Sequence, residues 1–439
     1  MHTFTILSSN SGFIINFYWE IITLLELGLH QKMTKLSKKI IIITEIFYPD
    51  ETSTAHIMST LAQVFSDHYD VHVVCGPLKN IGNLKNSCEF SHASHNFKIT
   101  RIKAPLLNKN KIFQRIVHQL ITSVMLCFHV FLNIKPGVTV FSVTNPSLIP
   151  IFLGIVKRIK TFNYYLLVHD VFPENAIAIG MIRQNGLISK ILQKTSNFAY
   201  RSVDCCIAIG SDMAELILHK KGVQKDKLHV IENWPDQFAL EFNENNISFP
   251  NQPSNREISI GFAGNIGLFQ GILDFSSIIT QITNNEINFK FAGNGASKLA
   301  LQDKLQNFKS VVFIPEYNRE DQAKIMCCFD IGLVLLGSGM YGIGIPSKIY
   351  NLLAFGMPIL FIGPKNSHVY RLVNKEGVGW AFDWDEPEKI ISFLNSLKIS
   401  DRDAIKKLGE RSRLAAQKYS KNIAMEKFIS LIELDIDIS

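Results

Sequence analysis

"KKIIIITEIFYPDETSTAHIMSTLAQVFSDHYDVHVVCG" (residues 38–76) contains a complete strand–helix–strand unit. Its run of isoleucines is apolar on every side, as in a parallel strand covered on both faces. "STAHIMSTLAQVFSD" places Met58, Leu61, Ala62 and Phe65 at helical spacing. "DVHVVCG" then returns to strand. No G-x-G-x-x-G follows the first strand; "YPDETSTAH" (48–56) stands there, which argues against a dinucleotide site.

The alternation continues through "KITRIKAP", a long helix near 112–133, "VTVFSVT", helix "SLIPIFLGIVKRI", "NYYLLVHD", a helix over 185–200, "DCCIAIG", helix "SDMAELILHK" and "KLHVIEN". The polar stretch 236–257, dense in Asn, Pro and Ser, reads as a linker. The pattern restarts with "ISIGFAG", "INFKFAGNG", "VVFIPEY", "DIGLVLL" and "PILFIG", each followed by a helical segment, and ends in helices near 366–375, 386–397 and 401–437. The expected fold is therefore α/β, two tandem Rossmann-like domains facing a cleft. The expected divisions are a loosely attached extension (1–36), a first domain (37–235), the linker and a second domain (258–417). A terminal helix near 418–437 is expected to pack back on the first domain.

The chain has 439 residues, 47% hydrophobic and 19% charged, with a formal net charge of +7. That modest excess suits an anionic substrate or membrane surface and lacks the basic stripe of a nucleic-acid binder. The seven cysteines form no C-x-x-C pair and sit mostly in apolar runs, as buried thiols do. "FIINFYWEIITLLELGLH" (13–30) lacks the basic region and cleavage site of a signal peptide, and Met33 reads as a natural start. "IVHQLITSVMLCFHVFLNI" (116–134) is uncharged and close to bilayer-spanning length; it reads as a buried or membrane-touching helix.

Four stretches carry candidate chemistry. In "GIGIPSKIYNLLAFGMPIL" (342–360), Pro346 suits a first turn, Gly356 a left-handed cap, and Pro358 a stop. Free amides near Ser347 and the ammonium of Lys348 would there form a diphosphate site; an ordinary helix with a surface lysine is the alternative. "GFAGNIGLFQG" (261–271) follows a strand, and Gly264, Asn265 and Gly267 could offer amides to phosphate or simply make a tight turn. "FAGNG" (291–295) reads as a turn. "LLVHDVFPEN" (166–175) ends a strand with His169, Asp170 and Glu174, candidates for catalysis or acceptor binding, or for a structural hydrogen bond. "DWD" (383–385) reads as the start of a helix with a capping box rather than a metal site, and "DID" (435–437) as a solvated tail.

Over residues 37–430 the chain resembles the family 4 glycosyltransferases of the GT-B fold, and most of all bacterial transferases of the colanic-acid and fucosamine type. "IIITEIFYPDETSTAHIMSTLAQVFSDHYDVHVVCG", "HDVFPENAIAIG", "ENW", "GFAGNIGLFQGILDF" and "GIPSKIYNLLAFGMPIL" carry the likeness. The resemblance implies retaining, metal-independent transfer of a sugar from a nucleotide diphosphate sugar to a glycan acceptor, expected to be lipid-linked, in surface polysaccharide synthesis. No cofactor and no nucleic-acid partner are implied. It brings the acceptor to the 169–174 segment, where His169, Asp170 and Glu174 are the catalytic candidates. Ser347, Lys348 and Gly264 to Gly267 go to the diphosphate, and Pro315 to Tyr317 to the base. Asp50, Thr52, Ser53 and His56 go to the acceptor. A cytoplasmic location at the inner membrane face follows as an expectation. The sequence departs from the family's Glu-x7-Glu pair, with Ile343 and Asn351 at those positions, Asn351 being left to meet the ribose. Gln270 stands where many members place a basic residue. A sugar-nucleotide epimerase of the same architecture and a catalytically degenerate sugar-nucleotide binder are the alternatives.

Overall fold

The computed structural model describes residues 38–50, 52–78, 96–105, 112–242, 256–317 and 321–434. The extension 1–36, Cys88, most of the linker and "DID" lie outside them. The element order is β1 (Lys39–Thr44), α1 (Ser53–His68), β2 (Asp70–Cys75), β3 (Lys98–Arg101), α2 (Ile112–Asn133), β4 (Thr139–Val143), α3 (Ile149–Ile159), β5 (Asn163–Val168), α4 (Glu174–Ala178), α5 (Leu187–Arg201), β6 (Cys205–Ala208), α6 (Ser211–Leu218), β7 (Leu228–Val230) and α7 (Gln237–Leu240). It continues with β8 (Ile258–Ala263), α8 (Ile272–Ile279), β9 (Ile287–Ala292), α9 (Lys298–Leu305), β10 (Val311–Ile314), α10 (Gln322–Met326), β11 (Ile331–Leu335), α11 (Lys348–Ala354), β12 (Ile359–Ile362), α12 (His368–Glu376), β13 (Gly379–Phe382), α13 (Pro387–Ser396), α14 (Arg402–Gln417) and α15 (Lys421–Leu434).

The strands make two sheets, ordered β3-β2-β1-β4-β5-β6-β7 and β10-β9-β8-β11-β12-β13. Their pairings are parallel, as in Ile40–Val71 and Ile260–Phe289. Both orders reverse direction once, which is the doubly wound arrangement; the reversal lies between β1 and β4 in one sheet and between β8 and β11 in the other. By packing, the chain forms two compact units, Met1–Ser142 with Ile155–Tyr164, and Val143–Gly154 with Tyr165–Ser439. The second sheet is covered on both faces. Ile359 and Phe361 of β12 enter one apolar layer, while Leu360 and Ile362 enter the other.

Local chemistry sets the element ends. Thr52 caps α1, its hydroxyl accepting from the Ala55 amide at 3.2 Å. Gly356 ends α11 at φ 73°, with the Gly356 amide on Leu353 O and the Met357 amide on Leu352 O. The expected helix over 401–437 is two helices, because Tyr419 turns into contact with Tyr350 at 5.3 Å and Ser420 restarts the spiral under Ile423. α15 lies against β5, where the Tyr165 hydroxyl donates to Leu431 O at 3.1 Å. The expected capping box after "DWD" does not form. Asp383 instead accepts from the amides of Lys365 and Asp385, and α13 begins with Pro387 in its first turn.

"FAGNG" is a turn whose role is to support its neighbour. Gly293 adopts φ 129°, and a Cβ there would lie 2.0 Å from Gly264 O. Gly293→Ala combines that backbone clash with an unfavourable φ, and is expected to cost about 2–4 kcal/mol, read from urea unfolding.

Candidate active site

The quoted stretch 342–360 lies beside the end of β5. Val171 donates its amide to Ile343 O at 2.9 Å, and Asp170 bridges Gly344 in antiparallel fashion. A Cβ on Gly344 would sit 3.0 Å from Asp170 Oδ1. On its other side the stretch packs against the start of α6. There a Cβ on Gly210 would meet Ile345 Cδ1 at 2.0 Å, and one on Gly342, at φ 69°, would meet Asp212 O at 2.5 Å. Asp212 is buried and fixes α12, its Oδ2 accepting from the His368 amide at 2.9 Å. Arg371 adds a two-pronged contact to Glu215, at 2.7 and 3.2 Å.

One hydroxyl sets the end of β5. Thr144 Oγ1, just past β4, accepts from the amides of both His169 (3.0 Å) and Asp170 (3.2 Å). His169 Nε2 is buried without a hydrogen-bond partner, and burial brings the imidazole down to about 4, so it is neutral. Asp170 is reachable by solvent yet ringed by protein. The loss of surrounding water pushes its carboxyl up to about 6.

Lys348 opens α11, so Pro346, expected in its first turn, precedes the helix, with Ser347 between them in a helical conformation. The helix is seven residues long, so its dipole contributes little and the side chain dominates. Lys348 Nζ is buried with no acceptor. It stands 3.4 Å from the centre of the Phe262 ring and 3.6 Å from where a Cβ on Gly264 would be. Phe262 and Gly264 flank the end of β8, the strand at which the second sheet reverses. Burial lowers the ammonium to about 7. The ring gives partial compensation through its quadrupole.

The glycine loop is largely closed on itself. Gly264 N–H bonds Ala292 O, Ile266 N–H bonds Asn294 O, and Gly267 N–H bonds Gln270 Oε1 at 3.0 Å. Gln270, read as the loss of a cation, serves as the latch of the loop. Asn351 is likewise engaged, accepting from the Asp236 amide and donating to Asp236 Oδ2 at 2.7 Å. Glu174 starts α4 and is bound by Lys220 Nζ at 2.7 Å; Lys220 also reaches Ser196 Oγ and lies over the Tyr200 ring. Desolvation lowers the Lys220 ammonium, and Glu174 counters it. Pro315 is exposed and Tyr317 half-buried after β10, the edge strand. The structure thus brings together His169, Asp170, the 343–348 stretch, Lys348 and Gly264. It turns Glu174 and Asn351 to other partners.

In the first unit, Asp50 and His56 are half-buried, and Thr52 and Ser53 are exposed at the start of α1. Arg101 holds their loop by donating to Tyr48 O and, at 3.4 Å, to Gly76 O. Among the described residues no cluster of three or more His, Cys, Asp or Glu side chains has metal-binding geometry.

Sequence reasoning missed Thr144, Phe262, Lys220 and Asp212. The "TNPS" after β4 was the one local signal, a hydroxyl at a strand end. The others act across 46 to 156 residues of chain.

No protein-family model matches the chain. The probable glycosyltransferase WbjE of Pseudomonas aeruginosa is 29% identical over 337 residues, covering 75% of this chain and 83% of WbjE. The crystal structure of Anabaena Alr3699/HepE in complex with UDP superposes with a TM-score of 0.63 at 12% identity, over 90% of this chain and 99% of that one. A sucrose-phosphate synthase from Thermosynechococcus elongatus superposes with a TM-score of 0.65 at 13% identity, over 92% and 100% of the two chains. The fold is GT-B. With the sequence likeness to WbjE, the chain is an enzyme of the glycosyltransferase class.

Two measurements probe the site without substrate. Between pH 7 and about 10 the unfolded chain holds a proton on Lys348 that the folded chain has lost, so this group makes stability rise with pH in that window and has no pH effect below it. Lys348→Met should raise stability near pH 7 by roughly 1–3 kcal/mol and remove that part of the slope, seen as the difference between wild-type and variant urea curves. Lys220→Met should cost about 3–5 kcal/mol by stranding Glu174, with part of the loss recovered in Lys220→Met/Glu174→Gln.

Proposed function

We propose that this glycosyltransferase moves a sugar from a nucleoside diphosphate sugar to a lipid-linked glycan acceptor in surface polysaccharide synthesis, with retention and without a metal. The observation that carries the reading is Lys348 Nζ, a buried amino group with no acceptor beside Gly264 at the end of β8. In sheets of this order ligands bind outside the carboxyl ends of strands where the order reverses. WbjE supports transferase chemistry, and Alr3699/HepE, crystallised with UDP, supports a uridine diphosphate leaving group.

In this reading the bond from the anomeric carbon to the diphosphate oxygen breaks, and charge grows on the departing phosphate. Lys348, protonated on contact with the dianion, stabilises that charge in a site poor in water. Neutral His169 offers its unpaired Nε2 to a sugar hydroxyl. Asp170, ionised above about pH 6, orients the acceptor hydroxyl at the mouth. The acceptor oxygen then bonds to the anomeric carbon, and its proton passes to the leaving phosphate. Asn351 and Glu174, held by Asp236 and Lys220, act as positioning residues.

Calorimetric titration with UDP, GDP and dTDP tests the diphosphate assignment. Because Lys348 must take up a proton to pair with the diphosphate, affinity for the preferred nucleotide should fall by up to about tenfold per pH unit above pH 7. Lys348→Ala should weaken binding by about ten- to a hundredfold and flatten this dependence. Equal affinity and equal pH response in both proteins would refute the assignment.

A further inference from the structure

We propose that the outer face of α2, with the end of α3, is a docking surface for an anionic lipid bilayer. This deepens the lipid-linked-acceptor reading by naming a surface. Its test measures vesicle binding, so it can fail or succeed apart from catalysis.

α2 is anchored along one side. His118 Nε2 meets Glu45 Oε1 at 3.2 Å in the core, its Nδ1 lies 3.0 Å from Pro105 O, and Leu126, Cys127 and Val130 are buried. At its far end Lys160 donates to Phe131 O at 2.6 Å and lies over the Phe131 ring. The opposite side of α2 is a continuous ridge of Ile116, Leu120, Val124, Phe128 and Leu132, spaced four apart and 44–63% exposed. A helix covering a water-soluble sheet normally turns charge outward; here no charged residue occurs from Ile116 to Asn133. Ile155 and Ile159 of α3 add 47% and 67% exposed side chains in the same compact unit.

Ile116–Asn133 is long and apolar enough to cross a membrane, but 33% of it is buried within the protein. The buried side is held by Glu45 and by the core, so the geometry fits a helix lying in the membrane plane rather than across it. The charge around it selects the lipid. From Phe90 to His169 the sequence holds ten lysines and arginines and no aspartate or glutamate. Lys135 follows α2 and Lys157 and Arg158 close α3, where they can meet lipid phosphates while the ridge enters the acyl boundary.

The test is flotation of the full chain with vesicles of phosphatidylcholine alone or with roughly a third phosphatidylglycerol. The wild type should float with the anionic vesicles and lose much of that binding in high salt. Phe128→Asp/Leu132→Asp should lower the bound fraction by about tenfold or more. Lys157→Glu/Arg158→Glu should abolish the preference for anionic lipid. Phe128→Gln/Leu132→Gln serves as a milder second ridge variant, and unchanged thermal unfolding establishes that each variant folds. Flotation of a folded ridge variant equal to the wild type, or no flotation of the wild type, would overturn the proposal. So would sedimentation showing a dimer that the ridge variants dissociate, since the ridge would then cover a second copy of this chain.

Discussion

A lysine amino group held over an aromatic ring, with no hydrogen-bond acceptor, is the constraint on which the site depends. Removing Lys348 Nζ from water is unfavourable, and the Phe262 face offsets only part of that penalty. The surrounding backbone tolerates the arrangement because it is fixed from both sides. β8 supplies the ring and Gly264, while the 342–345 stretch is held between β5 and α6. Catalytic sites commonly keep such unfavourable groups where a charged reactant will relieve them. The neutral His169 and the raised Asp170 share this character, each set by the same lack of water.

The architecture was legible because parallel strands must be apolar on both faces. "IIII" at 40–43 and "ILFI" at 359–362 announce themselves, and Gly356 marks a helix end through its own chemistry. The reading was weaker where one residue's role depends on a distant partner. Glu174 looks like a candidate acid in "FPEN" until Lys220, on a later element, is seen to hold it. Asn351 looks available to a ligand until Asp236 is found on both the oxygen and the nitrogen of its side-chain amide. Such pairings follow from topology, and a strand-end polar cluster alone does not distinguish a reacting group from a brace.

Gln270 illustrates how a departure from a family pattern can be structural. Its carbonyl oxygen occupies the Gly267 amide, and the neighbouring amides of Gly264 and Ile266 bond to the "FAGNG" turn. These bonds within the chain fix the shape of the loop, while Lys348 Nζ and His169 Nε2 are buried with their hydrogen-bonding capacity unspent. In the first unit the same economy appears around Arg101, which fixes the 48–50 loop through backbone carbonyls.

The bond from Tyr165 to Leu431 joins positions 266 residues apart. The strand that ends in His169 and Asp170 thus receives one of its supports from a helix that follows every strand of both sheets in the chain. During synthesis the first sheet must wait, incompletely buttressed, while the whole second sheet is made. Contacts of such long sequence separation slow folding, so the end of β5 gains this support only after both sheets have been synthesised.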